Sequence, residues 1–148
     1  QPDLPAGVEA DVVRGGYRYA VFGEGAPSVT LLGSGAILTE VIKAAQQLAE
    51  GGIASEVLSI TSWSELARNG GYAAQLLQGA APIVAASDYV RAVPESIRQH
   101  VPTGRSYTTL GTDGFGRSDT RAALRRFFGV DAAAIAHAAR QALLSQRA

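Results

Sequence analysis

The sequence predicts a three-layer α/β domain. It should hold a mostly parallel sheet of about five strands, one antiparallel edge strand, and helices on both faces. Three observations point there. Short apolar runs alternate with stretches of helical periodicity from residue 28 onward. Glycines, or residues suited to capping, stand at most of the changeovers. The first two strand-like runs are joined only through Gly25-Ala26-Pro27, and so short a link predicts an antiparallel pair, because a parallel pair needs a long crossover.

Taken in order, residues 1–16 carry two prolines, three glycines and little periodicity, and read as a linker or arm entering a domain of residues 17–148. Residues 17–22 form a short strand between glycines, and residues 28–32 a more apolar, central one. After Gly33-Ser34-Gly35, the residues Ile37, Leu38, Val41, Ile42, Ala45, Leu48 and Ala49 fall on one helical face. Gly51-Gly52 then stops the helix. Residues 54–60 are strand-like. Thr61 or Ser62 caps a short helix through Ala67, and Glu65, three residues after Ser62, completes a capping box.

Asn69-Gly70-Gly71 breaks that helix before another short one over residues 72–78. Residues 82–86 read as a buried strand. Residues 89–99 read as a helix, with Ser87 or Asp88 as its cap. Pro94 inside it predicts a kink or a later start, since an interior proline costs ~3 kcal/mol. Residues 106–110 make the last strand. A glycine-rich segment and a helix ending at Gly129 follow, and Asp131 caps an alanine-rich helix to about Gln146.

Composition narrows the function classes. Thirteen basic and thirteen acidic residues balance to zero, which leaves no electrostatic footprint for nucleic acid or an anionic membrane. The absence of cysteine removes disulfides, thiolate catalysis and cysteine-metal sites, and fits a cytoplasmic chain. No apolar run approaches the ~20 residues of a membrane span. With Gln1 first and no methionine anywhere, the chain is expected to be a fragment of a larger polypeptide.

The most informative stretch is residues 110–121. Asp113-Gly114 is a turn dipeptide, Gly114 and Gly116 flank Phe115, and Arg117 follows, with Ser118 or Asp119 placed to cap the next helix. This is a strand-to-helix loop carrying one aromatic and one arginine, at the end of a strand where open α/β sheets place functional groups. The segment reads either as a plain β-to-α connection, with Phe115 folded into its own core and Arg117 solvated, or as an interface loop whose candidate residues are Gly111, Asp113, Phe115, Arg117 and Ser118. Gly33-Ser34-Gly35 stands where a phosphate loop would, but Leu38 occupies the third glycine of the dinucleotide fingerprint, and the lysine of a P-loop is missing. His100 and His137 have no second ligand nearby in sequence and suit surface or packing roles. No catalytic, cofactor-binding or metal-binding residue is assigned.

The segments LGTDGFGRSDTR, GGYRYAVFGEGAPSVTLLGSGAILTEVIKAA and EVLSITSWSELARNG resemble the C-terminal domain of the homodimeric bacterial pyruvate dehydrogenase decarboxylating component, a member of the transketolase superfamily. The resemblance runs from about Leu4 to the last helix. It implies a parent oxidoreductase that uses thiamine diphosphate and Mg2+ to decarboxylate pyruvate, feeding glycolytic carbon to a lipoyl group on an acyltransferase partner. It also implies that this domain helps hold the dimer, touches other domains of the parent chain, and is inactive alone. The family's Gly-Asp-Gly motif with its distant Asn-Asn is absent here. Between Gly70 and Tyr72 the family carries a longer polar segment that this chain lacks. A free-standing regulatory or nucleotide-binding module, or the equivalent domain of another superfamily enzyme, are the rival readings.

Overall fold

The computed structural model describes residues 7–88, 90–111 and 130–147. Its centre is a five-stranded sheet of β1 (Gly16–Phe22), β2 (Val29–Ser34), β3 (Ser55–Ile60), β4 (Ile83–Ala86) and β5 (Tyr107–Leu110), in the order β1-β3-β2-β4-β5. All neighbouring pairs are parallel except β1 with β3. The expected sheet, with its single antiparallel edge strand, is thus the observed one.

The partner of that edge strand differs from expectation. β1 and β2 do not form a hairpin; β3 lies between them, pairing β1 on one side and β2 on the other. The chain between Phe22 and Val29 must cross two strand spacings, roughly 10 Å, which six residues span easily. Burial decides the order. Every residue of β2 is buried and β3 is nearly so, whereas β1 exposes Arg18 and Val21. The more apolar strand takes the interior place and the half-polar one takes the edge.

Successive residues send their side chains to opposite faces. Val29, Leu31, Val57, Val84 and Ala86 face α2 (Ile37–Glu50) and the last helix, here α6 (Ala132–Arg147). Leu32, Leu58, Ile60, Ile83 and Ala85 face α3 (Trp63–Arg68), α4 (Gly70–Leu76) and Ile97. α2 buries Ile37, Leu38, Val41, Ala44, Ala45 and Leu48, close to the stripe its periodicity predicts. Gly33 lets β2 approach this helix, since a Cβ there would stand 2.6 Å from Val41 Cγ2. α6 is fastened at its start by Asp131, whose Oδ1 accepts from Ala134 N at 2.9 Å, and by Glu40 of α2, whose Oε1 accepts from Ala132 N at 3.1 Å.

Within the segment expected as an entering arm, Glu9–Arg14 form α1, which lies against α3. Gly15 O accepts from Thr61 N and Ser62 N, and Thr61 Oγ1 donates to Val12 O at 2.6 Å. Tyr72 OH donates to Gly16 O at 2.6 Å, with the Arg14 guanidinium 5.3 Å above its ring. Burial, and then the nearby Asp11 carboxylate, raise the Tyr72 hydroxyl above its ordinary pKa.

Two local expectations change in detail. Only half of the capping box forms: Glu65 N donates to Ser62 Oγ at 3.2 Å, but Ser62 N already serves Gly15 O, and the Glu65 carboxylate pairs with Arg68 at 3.4 Å. The helix expected over residues 89–99 shrinks to α5 (Ala92–Glu95) and a 3₁₀ turn, Arg98–His100. Its cap is Arg91, not Ser87 or Asp88. The late start puts Pro94 in the first turn, where a missing N–H costs no helical hydrogen bond.

Candidate functional site

The connection leaving β2 leads to β3 on one side, whereas the one leaving β4 leads to β5 on the other. Such a reversal opens a crevice beyond the carboxyl ends of the two strands, the usual site in open α/β sheets. Register places three of the stretches singled out from sequence along this one edge. Gly33 pairs with Ala86 and Ala86 with Leu110, so Ser34, Ser87 and Gly111 emerge side by side. Ser87 N donates to Leu110 O at 3.0 Å, which ties the β4 exit to the start of the glycine-rich loop.

Ser34, Ser87 and Gly111 are all buried. Ser34 Oγ accepts from the buried Trp63 indole Nε1 at 3.0 Å and is itself only 8% exposed, so the hydroxyl joins β2 to α3 beneath the surface. The N-cap of α2 is Ala36, with no side-chain cap. Asp88 stands half-buried at the same edge. No group of three or more His, Asp or Glu among the described residues could hold a metal ion. The edge is thus a platform of three adjoining strand ends, of which Gly111 leads into the glycine-rich segment. Asp113, Phe115, Arg117 and Ser118 lie outside the described residues, as do Arg121, Arg125 and Arg126.

The histidines do not join the platform through any hydrogen bond described. His100 Nε2 is 2.9 Å from Ala67 O, and its ring packs on Gly70. His137 is exposed on α6. No helix among the described residues is long and apolar enough to cross a membrane.

Two polar constellations become visible wholly or mainly in the structure. Arg105, only 8% exposed, donates from Nε to Ala81 O at 2.5 Å, from Nη2 to Thr30 Oγ1 at 2.6 Å, and from Nη1 to Leu77 O. Burial lowers its pKa and the field of Glu56 opposes this. An isolated arginine after a turn glycine carries no signal of such burial. In the second constellation, both Glu95 carboxylate oxygens accept from Arg98, at 2.6 and 2.8 Å, and Oε2 accepts from Thr109 Oγ1 at 2.6 Å. Arg98 lies 5.1 Å over the Tyr107 ring, and Tyr107 OH donates to Pro94 O at 2.6 Å. Burial pushes this hydroxyl well above its ordinary pKa. Here the Glu95-x-x-Arg98 spacing is a legible hint of an i,i+3 pair.

The hydrogen bonds from Arg98, aided by Thr109 and opposed by burial, hold Glu95 down to about 2. Because the folded pKa is depressed, the stabilisation is complete above the usual glutamate value of 4.5 and is lost as pH falls toward 2. The carboxylate is about a third exposed, so screening limits the effect to ~1 kcal/mol. Denaturant midpoints from pH 6 to 2.5 should therefore fall less steeply for Glu95→Gln than for the parent sequence; parallel slopes would show that the pair is not coupled to folding.

Comparison with known proteins agrees with this architecture. Residues 15–131 match the family described as the transketolase-like TK C-terminal domain. The pyruvate dehydrogenase E1 component of Cupriavidus necator is 44% identical over 99% of this chain and 18% of its own length. That of Mycobacterium tuberculosis is 42% identical over 89% of this chain and 16% of its own length. That of Escherichia coli K12 is 40% identical over 93% and 17%. The chain therefore spans under a fifth of the length of these relatives. The first alignment runs over 168 positions against 148 residues here, so that relative carries residues this chain lacks. Among solved structures, transketolase from Leishmania mexicana superposes with a TM-score of 0.73 at 21% identity, over 95% of this chain and 20% of its own. That likeness concerns the fold.

Proposed function

The chain belongs to the transketolase-like C-terminal domain family, and from that premise we propose that it is the subunit-assembly domain of a thiamine-diphosphate-dependent pyruvate dehydrogenase component. The observation that carries the reading is 44% identity to an E1 component across 99% of the chain. In this reading the parent is a cytoplasmic homodimer. It decarboxylates pyruvate and passes the acetyl group to a lipoyl group on an acyltransferase partner.

The residues of this domain do not fit thiamine diphosphate or its Mg2+. The chain has a single asparagine and no Gly-Asp-Gly sequence, and the Ser34 hydroxyl at the β2 exit is buried against the Trp63 indole. The domain's contribution is therefore positional. In this reading the sheet edge holds Gly111, and Phe115 and Arg117 in the residues that follow are the anchors toward another domain or the partner subunit. Aromatic and arginine anchors carry the largest shares of interface energy, ~2 kcal/mol or more each when central.

In the full-length protein, Phe115→Ala is expected to weaken the dimer about thirtyfold, as follows from ~2 kcal/mol. Pyruvate decarboxylation should fall in parallel as the protein is diluted. Sedimentation across a concentration series, with the assay alongside, checks this. Unchanged dimer affinity and activity would reduce the loop to a connection.

A further inference from the structure

Asparagine occurs once in this sequence, as Asn69, and the next residue is Gly70. Asn69 is exposed and serves as the C-cap of α3 and the N-cap of α4. Its φ of −99° and ψ of 66° lie outside the helical and extended wells, so Asn69 marks the break between the two helices. Gly70 N–H, the first of α4, stands outside that helix's own hydrogen-bond ladder. We propose that Asn69 is a spontaneous modification site, at which the amide converts to aspartate and isoaspartate through a cyclic imide.

The chemistry needs only water. Gly70 N gives its proton to solvent base and attacks Asn69 Cγ. The N–Cγ bond forms, the Cγ–Nδ2 bond breaks, and nitrogen leaves as ammonia. Water then adds to either imide carbonyl, and ring opening yields aspartate or an isoaspartate whose main chain runs through Cβ and Cγ. Glycine favours the attack because no side chain shields its nitrogen. The His100 ring packs closely on this glycine: a Cβ at Gly70 would lie 2.9 Å from His100 Cε1 and 3.3 Å from its Nδ1, so a larger residue would require the ring to shift.

Three hydrogen bonds oppose the reaction. Asn69 Nδ2 donates to Glu65 O at 3.0 Å, a carbonyl that already accepts Asn69 N at 3.0 Å. Asn69 O accepts from Ala73 N at 2.8 Å. Ring closure therefore requires only the first turn of α4 to open, and that turn begins with two glycines, the least helix-favouring residues after proline. Aspartate would keep the backbone path. Isoaspartate would lengthen it by one carbon between α3 and α4, displacing the carbonyl that Ala73 N uses.

The test incubates the full-length protein at 37 °C and pH 8.5, followed by trypsin digestion and fragment-ion mass spectrometry. Cleavage after Arg68 gives a peptide beginning at Asn69. We expect it to gain about one dalton at its first residue, to split chromatographically into aspartate and isoaspartate forms, and to lose the signal in Asn69→Gln. The folded rate should lie within about tenfold of that in urea, because local fraying suffices. Gln78-Gly79, in the same peptide, needs a six-membered ring and serves as the slow internal control. No mass gain at residue 69 in the folded protein, or a gain located at Gln78 instead, overturns the proposal.

Discussion

Arg105→Leu is expected to lower the unfolding free energy of this domain by ~3 kcal/mol, the scale for removing one partner of a buried charged network. The guanidinium closes the amino end of the sheet by donating to Ala81 O, Leu77 O and Thr30 Oγ1 from three different nitrogens. Leucine fills part of the volume but leaves those acceptors in a place water reaches poorly. Arg105→Lys should recover little, because one ammonium group cannot serve three acceptors held in a planar fan. Denaturant midpoints of the three sequences decide the matter. A leucine variant within about 0.5 kcal/mol of the parent, the range of an ordinary surface change, would mean that the acceptors find water and that the arginine is a passenger.

Gly15→Ala is expected to be comparably severe, at ~3 kcal/mol or more, since it combines backbone strain with a steric clash. Gly15 sits at φ +116°, and a Cβ there would stand 2.6 Å from Leu66 N, 2.8 Å from Ser62 O and 2.9 Å from Leu66 Cα. All three are backbone atoms of α3 and its cap, so no side chain can turn aside. The shift would also pull Gly15 O from Thr61 N and Ser62 N, loosening α1. Gly25→Ala isolates the strain, because Gly25 has φ +83° but a Cβ there would meet nothing within 4 Å. That variant should cost ~1 kcal/mol. Equal losses for the two would refute the close packing of α1 on α3.

How much of this is legible in the sequence depends on how local the cause is. The α2 stripe, the Ser62 and Asp131 caps and the strand-helix alternation are written at spacings of one to four residues, and the structure carries them. The Gly25-Ala26-Pro27 turn limits reach without naming a partner, so the β1–β2 pairing it suggests does not form. The burial of β3 over nearly its whole length determines the order, and that is a property of the assembled sheet. The Pro94 disturbance is legible, but not its resolution into α5 and a 3₁₀ turn, where Pro94 O accepts from the distant Tyr107 OH. At the sheet edge, Ser34, Ser87 and Gly111 are each visible as strand ends, and only the parallel register brings them together. Arg105 is invisible for the same reason: its acceptors lie 24 to 75 residues away.

The central claim is that this chain is an assembly domain of a pyruvate-decarboxylating parent. The most direct measurement compares the full-length parent with a version lacking residues 15–147, assaying thiamine-diphosphate-dependent pyruvate decarboxylation and sedimentation on the same samples. The account predicts an active dimer for the parent, and a truncated protein that keeps its cofactor ligands but loses most of its dimer and, with it, most of its activity. A truncated protein that remains fully dimeric and active, or a parent that does not decarboxylate pyruvate, would contradict it.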